Sequence, residues 1–297
     1  MRKVKIITDS CADLNVEQLA KYDIDYAKMS TRYEGKETLA ELTWTPEDVH
    51  NFYNIMRDGN RITSAQVSVE QFNLIFEKYL KQGMDIIYIG CSSKQSGSVN
   101  TGFVTAKKFM EEYEGSTIVC IDSLNASIGI GMLAIEAAKM ANDGASVEEI
   151  EKHILAVRKT VNQYVTVHSL DALRRAGRVK GPAAFFGNLM GVKPIIISDS
   201  NGTQVAYRKV KGRQKSFEEI VALLKASIVE PEQQTVYLTH SDCAQEEVDT
   251  LVELIKREIP CKDVEVGFIG PSIGASIGPD AVGIWAFGQD VTYTIGD

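Results

Sequence analysis

Small hydroxyl side chains follow three separate apolar segments in the first half of this chain. The segments and the hydroxyls after them are 3–7 with Thr8 and Ser10, 85–89 with the serines of 92–98, and 117–121 with Ser123. If these segments are parallel strands, their carboxyl ends meet at one edge of a sheet, which is where ligands of open α/β sheets bind. Hydroxyls and helix-start amides suit a carboxylate, a phosphate or a polar head group. The pattern therefore predicts a binding site for such a group.

The stretch 92–98 carries the strongest signal, because it holds four serines and a glycine in seven residues. Helix capping needs one hydroxyl at this position, not four. We therefore interpret the stretch as a ligand-contacting loop as well as a helix start. A second pair, Thr63-Ser64, precedes the capping pattern that begins at Ser68. By itself that pair predicts only a turn.

Two glycine patterns in the chain resemble catalytic or cofactor motifs. Gly129–Ala134 fits the dinucleotide fingerprint but lies seven residues beyond the preceding strand, so we expect close helix packing there. Ser272 and Ser276 each lie in a Gly-x-Ser-x-Gly pattern, which leaves a serine hydrolase, or another small-molecule enzyme that uses either serine, as the alternative function. The last histidine, His240, precedes both serines, whereas the nucleophile elbow is normally followed by its histidine.

Composition excludes several classes of protein. With 297 residues, 44% hydrophobic content and a net charge of −8, the chain has mass for two cores and no basic stripe for nucleic acid. Five widely spaced cysteines and four histidines show no metal-ligand spacing, so we expect no metal and no cofactor. Since a strand begins at residue 3 and no apolar run approaches the roughly 20 residues of a membrane span, we expect a cytoplasmic protein without stable membrane insertion.

The elements that position these residues alternate between strands and helices up to about residue 157, which predicts a parallel sheet covered on both faces. Capping patterns at Thr45, Ser68, Ser146 and Ser216 predict four helix starts. Beyond residue 160 the pattern changes, and Asn201-Gly202 predicts a hairpin between two strands.

We therefore expect an α/β fold of two domains. The first, 1–160, is a three-layer domain with a parallel sheet. The second, 161–297, contains a mixed sheet and closing strands near 282–287 and 291–295.

Taken together, these segments resemble the DegV family of bacterial lipid-binding proteins over nearly the whole chain. The matching motifs are Thr8-Asp9-Ser10 with Asp13-Leu14, Thr63-Ser64, Ser92-Ser93 with Ser96-Gly97-Ser98, Asp122-Ser123, Leu173 with Gly177-Arg178, and the glycine-rich stretch 270–283. The resemblance implies a non-catalytic protein that holds one long-chain fatty acid, such as palmitate, in a tunnel between its two domains. It also implies lipid transport or fatty acid metabolism, with the acyl group presented to a separate ATP-binding fatty acid kinase.

The same resemblance assigns the site residues. It implies that Thr63 and Ser96 hold the carboxylate, and we expect secondary head-group contacts from Ser64, Ser93, Ser276 and Arg178. One departure matters: Ser276 stands where relatives carry a histidine, and a serine cannot supply a positive charge. We expect the acyl chain to pass along the apolar segment 181–190, and we consider the basic stretch 208–215 as a docking surface for an acidic partner.

Overall fold

The computed structural model describes residues 2–182, 185 and 191–295. The strands in chain order are β1 (Val4–Asp9), β2 (Asp25–Ala27), β3 (Ser30–Tyr33), β4 (Lys36–Leu39), β5 (Thr63–Ala65), β6 (Asp85–Gly90), β7 (Ile118–Asp122), β8 (Val161–Thr166), β9 (Val192–Ser198), β10 (Gln204–Lys211), β11 (Thr235–His240), β12 (Asp263–Phe268) and β13 (Val282–Phe287). The α-helices are α1 (Val16–Tyr22), α2 (Pro46–Arg57), α3 (Val69–Leu80), α4 (Ser98–Glu112), α5 (Ile128–Asn142), α6 (Val147–Val157), α7 (Asp171–Ala176), α8 (Arg213–Ser227), α9 (Gln245–Glu258) and α10 (Pro271–Ile277).

A four-stranded parallel sheet lies at the centre of the first half of the chain, in the order β2-β1-β6-β7. Helices α3 and α4 pack together and against this sheet, and α5 and α6 form a second such pair. In β6, every residue from Ile86 to Gly90 is buried, as expected for a parallel strand covered on both faces. This arrangement confirms the predicted parallel-sheet architecture.

The second half of the chain forms a mixed six-stranded sheet in the order β10-β9-β8-β13-β11-β12. Only β11 and β12 pair in parallel, and the other neighbours are antiparallel. Helices α8 and α9 pack together and against this sheet. The predicted mixed sheet is therefore confirmed. The domain boundary near residue 160 stays a prediction, although β8 is the first strand of this second sheet.

Helix α5 lies between the two sheets, in contact with β1 and β6 of one and β8 and β13 of the other. Its glycines make this position possible. A Cβ atom at Gly131 would stand 2.8 Å from the carbonyl oxygen of Ala12, and one at Gly129 would stand 3.1 Å from the Trp285 ring. The glycine pattern of 129–134 thus serves close packing, as expected, and falls within a helix rather than at a strand-to-helix turn.

A small antiparallel sheet, β4-β3-β5, was not predicted from the sequence. Its strands have three or four residues each, too short to give a clear alternating pattern. Helix α10 packs against β3 and β5, and the buried Tyr53 of α2 donates a hydrogen bond to the carbonyl oxygen of Ile269 at 2.6 Å. The small sheet thereby attaches to α10, and α2 attaches to the segment that precedes α10.

Several predicted boundaries agree with the structure and two do not. Thr45, Ser68 and Ser146 are N-caps whose side chains accept from the backbone three residues later. The helix predicted to start at Ser216 starts at Arg213, and the Ser216 hydroxyl donates back to the Arg213 carbonyl at 2.6 Å. The strand predicted at 291–295 is irregular chain.

The hairpin predicted at Asn201-Gly202 is present, with β9 and β10 antiparallel and Gly202 at a φ of +80°. Of the candidate tail-binding segment 181–190, only residues 181, 182 and 185 lie within the described residues. In the basic stretch, Arg208 pairs with Glu219 and Arg213 with Glu247, so a good part of its charge is already compensated.

Candidate functional site

A cavity of about 210 Å³ opens where the sheets, α10 and the loop 92–98 meet. We call this loop the serine loop and this cavity the main cavity. Much of its wall is apolar, including Met29, Val165, Leu173, Ile196, Ile273 and Trp285. Its polar lining includes Ser64, Gln95, Ser96, Gln163, Arg178 and Ser276. A cavity with an extensive apolar wall and a few polar groups suits an amphipathic small molecule.

A second cavity of about 180 Å³ adjoins the main cavity; we call it the side cavity. Three residues line both spaces, namely Ser64, Arg178 and Ser276. Thr63 lines the side cavity, whereas Ser96 lines the main cavity. Ser64 therefore shares the main cavity with Ser96. Thr63, its neighbour in the chain, lies on the other side of the boundary between the two cavities.

Ser96 is held by a short network of serine hydroxyls. The Oγ atoms of Ser96 and Ser98 are 2.9 Å apart, and the amide of Ser98 donates to Ser96 Oγ at 3.2 Å. Ser98 is buried, and its Oγ accepts from the amide of Val67 at 3.1 Å. This network ties the serine loop to the chain that leaves β5, so it fixes Ser96 relative to Ser64.

The other serines of the loop have different roles. Ser92 is buried and donates to the carbonyl oxygen of Gly202 at 2.8 Å, which docks the β9–β10 hairpin on the loop. Ser93 is exposed and lines neither cavity, so the structure does not place it with the other expected head-group contacts. Arg178 Nε donates to the carbonyl oxygen of Gln95 at 3.0 Å, which ties the loop to the end of α7.

Two buried carboxyl groups hold the loops behind the main cavity. Asp9 accepts from the Tyr88 hydroxyl at 2.7 Å and from the amides of Cys11 and Cys91. Asp13 accepts from the Gly270 amide at 2.8 Å and from the Ser127 hydroxyl. Burial raises the pKa of Asp9, and it raises the pKa of Asp13 to about 7 despite the hydrogen bonds. Neither carboxyl group lines the main cavity.

With this geometry established, comparison with known proteins identifies the family. The family model described as the uncharacterised DegV family matches residues 3–289. The chain belongs to the DegV family. A DegV domain-containing protein of Clostridium perfringens is 34% identical over 291 residues, which cover 97% of this chain and 99% of that protein.

Two solved DegV structures from Thermotoga maritima have the same fold. One, described as a DegV lipid-binding protein, superposes with a TM-score of 0.85 at 28% identity and covers 98% of this chain and 100% of its own. The other, described as revealing a fatty acid binding function, has a TM-score of 0.82 at 27% identity and covers 97% of this chain and 100% of its own.

In this DegV family member, Ser272 lies at the main cavity with its Oγ 3.1 Å from Ser10 Oγ. Within the described part of the chain, none of the four histidines lines either cavity. His240 accepts from the amide of Cys243, and burial lowers its pKa to about 4. The arrangement therefore supplies Ser272 with a hydroxyl partner and not with a histidine base.

Sequence reasoning missed part of the DegV cavity lining. Gln163 and Gln204 lie on different strands and bond to each other at 2.5 Å, and Trp285 comes from the last strand. Arg61 and Arg175 of the side cavity were also missed. No local motif marks these side chains, because long-range packing alone brings them together.

Within the described ranges, no cluster of three or more histidine, cysteine or acidic side chains is placed to hold a metal ion. In the same ranges, no helix combines the length and the apolar character that a membrane crossing requires.

Proposed function

We propose that this protein binds a long-chain fatty acid, such as palmitate, with its acyl chain in the main cavity. The observation that carries the proposal is the main cavity itself, where an apolar wall adjoins the hydroxyls of Ser64 and Ser96 and the guanidinium of Arg178. The Thermotoga maritima relative described as fatty acid binding, 27% identical over nearly the whole chain, supports the same ligand class. The role would be lipid transport or fatty acid metabolism without catalysis by this chain.

The hydrophobic effect would supply most of the affinity. Burying about fifteen methylenes at about 0.8 kcal/mol each gives a gross contribution on the order of 12 kcal/mol. A hydrogen bond to the charged head group adds about 1.5–3 kcal/mol. The acyl chain therefore dominates binding strength, while the hydroxyl groups fix the position of the carboxylate.

The serine network makes Ser96 a suitable donor to a carboxylate. Either hydroxyl of the Ser96–Ser98 pair can be the donor, and Ser98 Oγ also accepts from the amide of Val67. Ser96 Oγ accepts from the Ser98 amide, so when Ser98 donates the bond between the two hydroxyls, the Ser96 proton is left for a ligand oxygen. We propose that the carboxylate lies at the boundary of the two cavities, within reach of Ser96 on one side and Thr63 on the other.

A partner kinase and a cytoplasmic location extend this proposal. Ser276 lines both cavities and can donate a hydrogen bond, but it carries no charge. Arg178 lines both cavities as well and is the fixed positive charge at the proposed carboxylate position. Presentation of the acyl group to a separate ATP-binding kinase would therefore rely on Arg178 rather than on a histidine.

All five cysteines are free thiols, in keeping with a reducing compartment.

The proposal is tested by extracting the freshly purified protein with organic solvent and analysing the extract by mass spectrometry. We expect about one free fatty acid per chain, and uptake of palmitate by the delipidated protein with a change in the fluorescence of Trp285, which lines the main cavity. An extract without fatty acid, together with no uptake of palmitate, would refute the proposal. Steady turnover of p-nitrophenyl esters that Ser272→Ala abolishes would favour the hydrolase instead.

A further inference from the structure

The side cavity is lined by several positive charges, all of them on exposed side chains. Its lining includes three arginines, Arg61, Arg175 and Arg178, and three hydroxyl residues, Thr63, Ser64 and Ser276. Among the described residues that line it, none carries a carboxylate. The chain as a whole has 40 acidic and 32 basic residues, so an acid-free group of three arginines runs against its overall charge.

The hydrogen bonds of these arginines go to backbone carbonyls. Arg61 donates to the carbonyl oxygen of Arg175 at 3.5 Å, and Arg178 donates to those of Gln95 and Ala176. Within the described residues, none of the three guanidinium groups makes an ion pair with a carboxylate. The neighbouring Arg174, by contrast, lies 3.9 Å from Asp171, and Arg57 bonds to both Asp242 and Asp280.

The fold brings these charges together from distant parts of the chain. Arg61 lies between α2 and β5, Arg175 lies in the last turn of α7, and Arg178 follows the left-handed Gly177 that ends α7. Helix α10, which packs against both α7 and β5, supplies Ser276. Like charges gathered at one opening repel one another, and a bound anion removes that repulsion.

We propose that the side cavity binds a phosphate group. Guanidinium groups form bidentate, charge-assisted hydrogen bonds with phosphate oxygens, and serine and threonine hydroxyls complete such sites. Arg61 and Arg175 line only the side cavity, so this site extends beyond the position proposed for the carboxylate. The phosphate could be free or carried by a small phosphate ester, since both present the same oxygens. The proposal does not depend on fatty acid binding in the main cavity.

The test is a calorimetric titration of the whole protein with inorganic phosphate at constant ionic strength, with chloride as the other anion. We expect saturable binding that the double variant Arg61→Gln, Arg175→Gln weakens about tenfold or more, the effect of losing a charge-assisted hydrogen bond. Arg174→Gln is the matched control, because Arg174 is next to Arg175 on α7 but lines neither cavity. Competition by glycerol phosphate would indicate that the site accepts an ester, and its absence would indicate free phosphate.

Three results would overturn the proposal. They are no saturable binding, equal weakening by Arg174→Gln, and displacement of phosphate by palmitate, which would mean that the arginines hold the carboxylate itself. The titration is made on delipidated and on palmitate-loaded protein. Phosphate binding by a protein that takes up no palmitate would leave this proposal intact while refuting the fatty acid proposal, so the two can fail separately.

Discussion

Single hydroxyl groups in the serine loop differ in function because their surroundings differ. Ser92 and Ser98 are buried and bond to protein atoms, Ser93 faces solvent, and Ser96 lies at the main cavity with an adjacent serine as its partner. The family resemblance named Ser96, whereas sequence reasoning identified only the loop, because four serines exceed the needs of a helix cap. It could not separate Ser93 from Ser96, since burial depends on which side chains fold back over the loop.

The replacement Ser96→Ala tests the head-group assignment. We expect palmitate affinity to fall roughly tenfold, because one hydrogen bond to a charged oxygen contributes about 1.5 kcal/mol. Fluorescence titration of the delipidated protein measures the change. Ser93→Ala is the matched control from the same loop and is expected to bind like the original protein. Equal affinities for all three proteins would remove Ser96 from the site.

The buried carboxyl group of Asp13 makes a prediction about pH. Its pKa in the folded protein is raised to about 7 from an ordinary value of 3.8, so the folded state holds this proton more tightly than the unfolded state. The resulting stabilisation is complete below pH 3.8 and is lost as pH rises through 7. Over that range the contribution of Asp13 to the free energy of unfolding falls by up to about 4 kcal/mol.

Asp13→Asn isolates this effect, because an amide keeps an acceptor for the Gly270 amide and does not titrate. We expect the variant to gain stability relative to the original protein as pH rises from 4 to 8, measured by urea unfolding at each pH. Parallel pH profiles for the two proteins would show that Asp13 does not titrate with a raised pKa.

At the scale of elements, helix α10 depends on a glycine for its contact with α2. A Cβ atom at Gly274 would stand 2.4 Å from the Tyr53 hydroxyl oxygen, so an alanine would force α10 and α2 apart. A glycine-to-alanine change inside a helix normally adds about 0.5–1 kcal/mol of stability. At Gly274 we expect the change in stability to have the opposite sign, because the new methyl group would collide with Tyr53.

We expect Gly274→Ala to destabilise the protein by about 1–3 kcal/mol, the usual cost of overpacking. Tyr53→Phe removes the oxygen that the new methyl group would meet, and it also removes the hydrogen bond to Ile269. The double variant should therefore lose less stability than the sum of the losses in the two single variants. Denaturant unfolding of the original protein, both single variants and the double variant measures this non-additivity. Additive costs would mean that the two side chains do not meet.

Capped helices and long apolar strands were predictable at this scale because their signals are local. The N-caps Thr45, Ser68 and Ser146 each lie within three residues of the amide they bind. The small sheet β4-β3-β5 was missed, because its short strands are stabilised by α10, which follows more than 200 residues later. The start of α8 was misplaced because Ser216 bonds within the helix instead of capping it.

For the whole molecule, bound fatty acid should stabilise the fold. A ligand that binds only the folded state adds about 2.7 kcal/mol when its concentration is 100 times the dissociation constant. Delipidation should therefore lower the unfolding midpoint by several degrees, and added palmitate should restore it. Scanning calorimetry of loaded and delipidated protein makes this comparison, with octanoate as a control whose shorter chain buries fewer methylenes. Identical midpoints would exclude a fatty acid bound to the folded state.

The alternation of strands and helices predicted two sheets, but not the order of the second. Strand β13 pairs with both β8 and β11, so the last strand of the described chain occupies the middle of that sheet. No periodicity in the sequence shows that the last described strand lies between two earlier strands. The side cavity was unpredictable for the same reason, because Arg61 and Arg175 are 114 residues apart in the chain.

The central position of β13 sets the order of events during synthesis. Nascent chains fold from the amino terminus, so the parallel sheet can assemble while the remainder is still being translated. The edges of β8 and β11 stay open until Val282–Phe287 leave the ribosome, and Trp285, which lines the main cavity, arrives with them. The main cavity therefore stays incomplete until β13 has been synthesised and has inserted between β8 and β11.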